Sequence, residues 1–173
     1  MNKKIVDNFL SKEDFYNLNE IIKNANEHGF WTFNDTITDA NGEEIDLNNS
    51  SYFTHAIYNY NVPVTTHRNL MEFIFKSFLP ELIDFNSLLR IKANLFTWTE
   101  KLQEFSLHAD CGDLKCKGAI FYFNTCDGYT HFEDGTKVES VENRMLFFDA
   151  STLHGSTNTT DSKYRMNINF NYL

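Results

Sequence analysis

Residues 164–172 alternate without a break: Tyr164, Met166, Ile168, Phe170 and Tyr172 are apolar, while Arg165, Asn167, Asn169 and Asn171 between them are polar. Only an extended strand sorts such a set onto two opposite faces. One face of this segment must therefore join a hydrophobic layer, and the other must line solvent or a wet cavity. A second segment, from Leu88, repeats the pattern, with Leu89, Ile91, Ala93 and Leu95 on one face and Arg90, Lys92 and Asn94 on the other. A chain holding two such strands cannot be an all-helical bundle.

The same reading extends through the C-terminal half. Residues 117–124 form a strand stopped by Asp127-Gly128, and short strands follow around Thr130–Glu133, Lys137–Val141 and Arg144–Asp149. Asp134-Gly135 and Glu142-Asn143 divide them as hairpin turns. Phe30–Phe33 and Tyr52–Tyr58 read as further strands, with Asp39–Glu44 and Asn48–Ser51 as polar loops. Helices precede them. Ser11 is placed as an N-cap with Asp14 three residues on, and Phe15, Leu18, Ile21 and Ile22 follow at helical spacing over residues 12–26. Leu70, Phe73, Ile74 and Phe78 give a second helix that Pro80 ends. Two helices and about seven short strands predict an α+β, mainly β domain: an antiparallel sandwich or jelly roll with the N-terminal helices packed on one sheet. At 173 residues, with no repeat or linker, residues 1–173 are expected to form a single domain.

Charge narrows the function. A formal net charge of −9 argues against binding to a phosphate backbone, so nucleic acid is not the expected partner. No apolar run approaches the ~20 residues of a membrane span. The opening Met1-Asn2-Lys3-Lys4-Ile5-Val6-Asp7 is interrupted by charge too early for a secretory signal. Three cysteines (Cys111, Cys116, Cys126) cannot all pair, which suits a reducing compartment. These features together predict a cytoplasmic protein without a membrane partner.

The chemistry concentrates in His108-Ala109-Asp110, Leu153-His154-Gly155 and Arg165. His108 and Asp110, two apart on an extended segment, project to one face and can chelate one ion. With His154 they make two imidazoles and a carboxylate, a facial triad that leaves coordination positions open and suits Fe(II), Mn(II), Co(II) or Zn(II). Arg165 offers a planar fork that either faces solvent or holds a carboxylate bidentately, as the distal carboxylate of 2-oxoglutarate would require. Tyr122 shares a strand face with Ile120 and Asn124, where its phenol either adds a hydrogen bond to that carboxylate or packs in the core. His131 is a rival third ligand placed inside a short strand and read as structural, as are His55 and His67. Cys111 and Cys116, with His108 or Asp110, offer a competing structural zinc site that leaves His154 and Arg165 without roles.

At these residues the chain resembles the Fe(II)/2-oxoglutarate-dependent dioxygenases, in particular the prolyl hydroxylase-like branch. Val6-Asp7-Asn8-Phe9-Leu10-Ser11 looks like the opening before that branch's first helix, and His108-Ala109-Asp110 matches its His-x-Asp motif. Phe121-Tyr122-Phe123-Asn124 resembles its Tyr-Leu-Asn strand, and Asp127-Gly128-Tyr129-Thr130-His131-Phe132 its Gly-Gly-x-Thr-x-Phe segment, with Asp127 in place of the first Gly. Asn143–Phe148 looks like its Gly-Arg-to-Phe strand, Leu153-His154-Gly155 like its distal His, and Arg165 stands where the family has its cosubstrate-binding Arg or Lys.

The resemblance implies a double-stranded β-helix, a jelly-roll and cupin relative. It also implies an Fe(II) cofactor, 2-oxoglutarate as cosubstrate and ascorbate as an auxiliary reductant. His108, Asp110 and His154 would then be the catalytic metal ligands, and Arg165 with Tyr122 the cosubstrate anchor. Asp110 as a ligand favours hydroxylation over halogenation, which needs that position vacated. The expected partner is a peptide, protein or small-molecule substrate. A cupin-like metal-binding module or isomerase is the alternative, and Arg165 discriminates, since such a protein needs no carboxylate anchor.

Overall fold

The computed structural model describes residues 3–26, 29–35, 37–38, 44–45, 51–112 and 114–173. In chain order the elements are β1 (Lys4–Val6), α1 (Lys12–Asn26), β2 (Thr32–Asn34), β3 (Ile37–Thr38), β4 (Glu44–Ile45), β5 (Tyr52–Asn59), β6 (Val62–Pro63) and α2 (Arg68–Ser77). After a 3-10 turn at Leu79–Glu81 come β7 (Leu88–Thr97), β8 (Lys117–Tyr122), β9 (Tyr129–Phe132), β10 (Lys137–Glu139), β11 (Arg144–Asp149), β12 (His154–Ser156) and β13 (Tyr164–Tyr172). The large sheet runs β1-β11-β8-β13-β7-β5-β2, with β6 beside β5, and the small sheet runs β10-β9-β12. All named pairs are antiparallel. This is the rolled, jelly-roll-like arrangement that the strand pattern predicts.

Alternation along the central strands divides the interior in two. Ala119, Phe121, Ile168, Phe170, Tyr172, Ile91 and Ala93 project to the outer face of the large sheet, where α1 and α2 cover them with Leu18, Ile22, Leu70 and Ile74. Phe78, just past α2, joins the layers, its ring 5.0 Å from Phe121 and 5.2 Å from Phe170. The helices form where the apolar spacing places them, and Ser11 caps α1 by accepting the Asp14 amide at 3.0 Å. The opposite face turns inward, toward the small sheet.

Several expectations shift. Leu89 does not share a face with Ile91; it packs with the inner cluster, because a bulge opposite Asn171/Tyr172 inserts one residue and flips the alternation. Thr32–Asn34 pairs with β5, whereas Phe30 is buried outside the strand, stacked at 3.8 Å on His55. His154, read as loop, begins a strand. Cys111 and Cys116 form a disulfide, which removes both from the thiolate ligand set and overturns the zinc alternative. It also withdraws the cysteine argument for a reducing compartment. Cys126 is free and buried. Among the described residues no helix is long and apolar enough to cross a membrane. The loop read at Asp39–Glu44 falls mainly, and that at Asn48–Ser51 almost entirely, outside the described residues.

One side chain pins the N-terminal segment to the sheet. Asn143, at φ 57°, accepts the Leu10 amide on Oδ1 and donates from Nδ2 to the Leu10 carbonyl, both at 2.9 Å. Asn143→Ala leaves both Leu10 backbone groups unpaired in the interior and should cost about 2–4 kcal/mol, read as a lower denaturant midpoint. Asn143→Gly, which tolerates the positive φ, should lose a similar amount if the staple rather than backbone strain is responsible.

Candidate metal and cosubstrate site

His108 and His154 face each other across a one-residue antiparallel bridge, each backbone amide donating to the other's carbonyl at 2.9 Å. Directly opposed residues of an antiparallel pair project to the same side. The imidazoles therefore stand together, ring centroids 4.8 Å apart. Asp110, two residues on, is held by its amide to the Ala150 carbonyl at 3.1 Å and returns its side chain to that side. Ligand atoms of His108, Asp110 and His154 all lie within 4.8 Å of one another. His154 Nε2 is 3.5 Å from Asp110 Oδ2 and His108 Nε2 is 3.6 Å from Oδ1.

The second ring nitrogens set the tautomers. His154 Nδ1 lies 2.9 Å from the Thr152 carbonyl and His108 Nδ1 3.5 Å from that of Ser106. A carbonyl only accepts, so these contacts suit a protonated Nδ1, the tautomer in which Nε2 would offer its lone pair to an ion at the centre. Asp110 is fixed as closely. Its Oδ2 accepts from Asn169 at 2.8 Å and Asn171 at 2.9 Å, and its Oδ1 from Arg90 at 2.7 Å. A carboxylate presents about four lone-pair sites. Three are taken, which leaves one on Oδ1 for an ion. Burial alone would push this carboxyl up, but the flanking imidazoles and the Arg90 charge outweigh it and hold it well below the usual carboxylate range. The donor set thus fits a divalent ion held by two neutral imidazoles and one carboxylate oxygen, with the remaining positions open.

Arg165 is fully buried. Its guanidinium donates to Ser156 Oγ at 2.5 Å, the Thr157 carbonyl at 3.3 Å and Thr130 Oγ1 at 3.2 Å, while Nε has no partner. It lies 5.6 Å from the rings of both Tyr122 and Phe96. Tyr122, also buried, shares a 2.8 Å hydrogen bond with Thr130 Oγ1. Among the described residues no carboxylate pairs with Arg165. Gly128 makes the position attainable, since a Cβ there would sit 2.5 Å from the Arg165 Cδ and 2.4 Å from the Asn158 carbonyl oxygen. Asp127, where the related motif has glycine, instead binds Thr159, Thr160 and the Thr160 amide and so orders the turn after β12.

A cavity of about 260 Å³ opens beside the triad; Arg165 and Tyr122 do not line it but lie behind Thr130 and Ser156, which do. Its walls carry the triad, Thr130 and Ser156 from the small sheet, and Arg90, Lys92, Asn94, Asn167 and Asn169 from β7 and β13. His131 is not in the triad; its Nε2 lies 3.0 Å from the Phe105 carbonyl, beside Gly155. His55 and His67 belong to an aromatic cluster around Phe30. Sequence reasoning left Arg90, Lys92, Asn169 and Asn171 without roles. Their signal was the polar face of two strands whose other face is core.

Asn171→Ala removes one donor from Asp110 and the acceptor that Arg90 Nε uses at 3.0 Å. Loss of such an outer partner should weaken Fe(II) or Co(II) binding by about 10–100-fold in anaerobic titration. Asp110→Ala should abolish it.

No protein-family model matches the sequence, and no curated protein matches it. Solved structures do. A prolyl hydroxylase from Trichoplax adhaerens, in complex with a hypoxia inducible factor oxygen degradation domain peptide, superposes with a TM-score of 0.70 at 14% identity, over 99% of this chain and 83% of that one. The viral collagen prolyl hydroxylase of Paramecium Bursaria Chlorella virus-1, in its 2-oxoglutarate complex, gives 0.62 at 15% identity, over 100% and 97%. A non-haem α-ketoglutarate-dependent epimerase of nogalamycin biosynthesis gives 0.66 at 12%, over 99% and 77%. The chain therefore has the double-stranded β-helix fold of the 2-oxoglutarate–Fe(II) oxygenases, in its prolyl hydroxylase-like form.

Proposed function

We propose that residues 1–173 act as one Fe(II)- and 2-oxoglutarate-dependent oxygenase domain that hydroxylates a substrate C–H bond. The observation that carries this reading is Arg165: a fully buried guanidinium with no anionic partner among the described residues, behind the wall of the cavity that holds the triad. Burying an uncompensated charge costs several kcal/mol. A dicarboxylate seated against Thr130, Ser156 and Arg165 supplies the missing counter-charge. A metal-binding module without a cosubstrate has no use for such a cation.

His108, Asp110 and His154 hold the ion, and Arg165, with the Tyr122 phenol ordering Thr130, anchors the distal carboxylate of 2-oxoglutarate. Iron and cosubstrate supply the oxidising chemistry: one oxygen atom of O2 enters the substrate as hydroxyl, the other enters succinate, and 2-oxoglutarate loses CO2. The chain's own part is orientation. Asn169, Asn171 and Arg90 occupy three lone pairs of Asp110 and leave one on Oδ1 that would face an ion, and the carbonyls of Thr152 and Ser106 would hold the imidazoles in the ligating tautomer. An epimerase stands among the similar folds; Asp110, occupying the position a halogenase must vacate, favours hydroxylation over halogenation.

Anaerobic addition of Fe(II) and 2-oxoglutarate should produce the weak visible charge-transfer band of a chelated 2-oxo acid. His108→Ala should lose it. Arg165→Ala should require at least about tenfold more 2-oxoglutarate for half-development, the loss expected for one charged hydrogen-bonded pair, yet reach the band at saturation. Metal binding with no band in the wild-type protein would overturn the oxygenase reading.

A further inference from the structure

The cavity's charge is opposite to that of the protein. The chain carries a formal net charge of −9, yet Arg90 and Lys92 line the cavity and Arg165 lies directly behind its Thr130 and Ser156 wall, against a single carboxylate, Asp110. A divalent ion and a dicarboxylate cosubstrate cancel each other, so two positive charges persist when both are bound. Arg165 has the cosubstrate, and Arg90 is spent on Asp110 and Asn171. Lys92 is left. It lies on the inward face of β7, between Ala56 on β5 and Asn169 on β13. Its ammonium makes no hydrogen bond or ion pair among the described residues. Burial, with Arg90 acting in the same direction and Asp110 opposing, pulls it down to about 8. Beside it the Asn169 Oδ1 is buried without a partner, and Tyr52, stacked at 5.4 Å on Phe96, completes this wall.

A half-buried cation on a cavity wall, with free donors and no partner, is poorly compensated unless a ligand supplies the anion. We propose that Lys92 is the substrate-binding cation of this site, receiving a carboxylate that the substrate itself carries and so presenting a neighbouring C–H bond to the His108–Asp110–His154 centre. This rests on the oxygenase reading above. The primary substrate is then an acid, either a free small carboxylic or amino acid or the acidic side chain of a peptide. The unpaired Asn169 carbonyl adds an acceptor for a hydroxyl or ammonium group next to that carboxylate.

The test uses the full chain loaded with Mn(II), which binds without turning over, and saturated with 2-oxoglutarate. Free amino and hydroxy acids, their amides, and short peptides with or without Asp and Glu are titrated by calorimetry and by ligand-induced shift of Tm. At least one acid should bind at least about tenfold more tightly than its amide, the difference expected for one charged hydrogen bond in a buried site. Free acids outranking peptides assigns the free molecule; the reverse assigns an acidic side chain. Lys92→Met, which keeps the unbranched stem, should erase that discrimination while the affinity for 2-oxoglutarate stays within about twofold; Lys92→Arg should restore part of it. Amides binding as well as acids, no acid binding at all, or discrimination surviving in Lys92→Met would each overturn the proposal. A loss of 2-oxoglutarate affinity in Lys92→Met would overturn it too, by making Lys92 part of the cosubstrate site. Failure of the wild-type protein to bind 2-oxoglutarate is a different result, which removes the oxygenase reading itself.

Discussion

The Asp110 carboxylate is the point on which the rest of the site depends. It is almost completely buried, and a buried anion persists only where its lone pairs are met. Arg90 from β7 and Asn169 and Asn171 from β13 meet three of them. Those two strands pair along nearly their whole length, with Asn171 opposite Arg90 and Asn169 opposite Lys92. The carboxylate thus ties the loop after the His108 bridge to the middle of the large sheet. His154 is tied to the same loop by two backbone hydrogen bonds. The sheet holds the three side chains together, which would lower the ordering cost of placing an ion between them.

Much of this was legible in the sequence because alternation is a strong signal. Residues 164–172 announced a strand with one apolar and one polar face, and His-x-Asp with a later His and Arg named the centre. Other features depended on contacts no local pattern encodes. Leu89 broke the predicted face because a bulge is set by the partner strand. Cys111 and Cys116 paired because the turn brings their Cα atoms to 6.3 Å, which spacing alone did not reveal. Arg90, Lys92, Asn169 and Asn171 were visible as polar positions, but the same pattern describes a solvated face. Only closure of the small sheet over them turns a wet face into a lined cavity.

The burial of Arg165 shows how fold and chemistry constrain each other. Its aliphatic stem occupies space that exists because Gly128 has no side chain, and its guanidinium is surrounded by hydroxyls and aromatic faces rather than by acids. Such a group is a stability liability in the free protein, and the hydroxyls only partly offset it. A site that binds a dicarboxylate converts the liability into affinity. The same logic, applied to charge across the whole cavity, explains how an acidic protein can hold a cationic interior.

The two close approaches at Gly128 and Gly155 also divide the cavity into parts that tolerate change differently. At Gly155 a Cβ would fall 2.7 Å from the Phe105 carbonyl oxygen and 2.4 Å from His131 Nε2, so the small sheet admits almost no variation beside the centre. The inward positions of β7 face open volume instead. Changes of side chain should therefore be tolerated along β7 at the places of Lys92 and Asn94 and excluded at Gly155 in β12 and at Gly128 in the turn before β9. A library confined to Lys92 and Asn94 would vary this open wall while Arg90 keeps its hydrogen bond to Asp110.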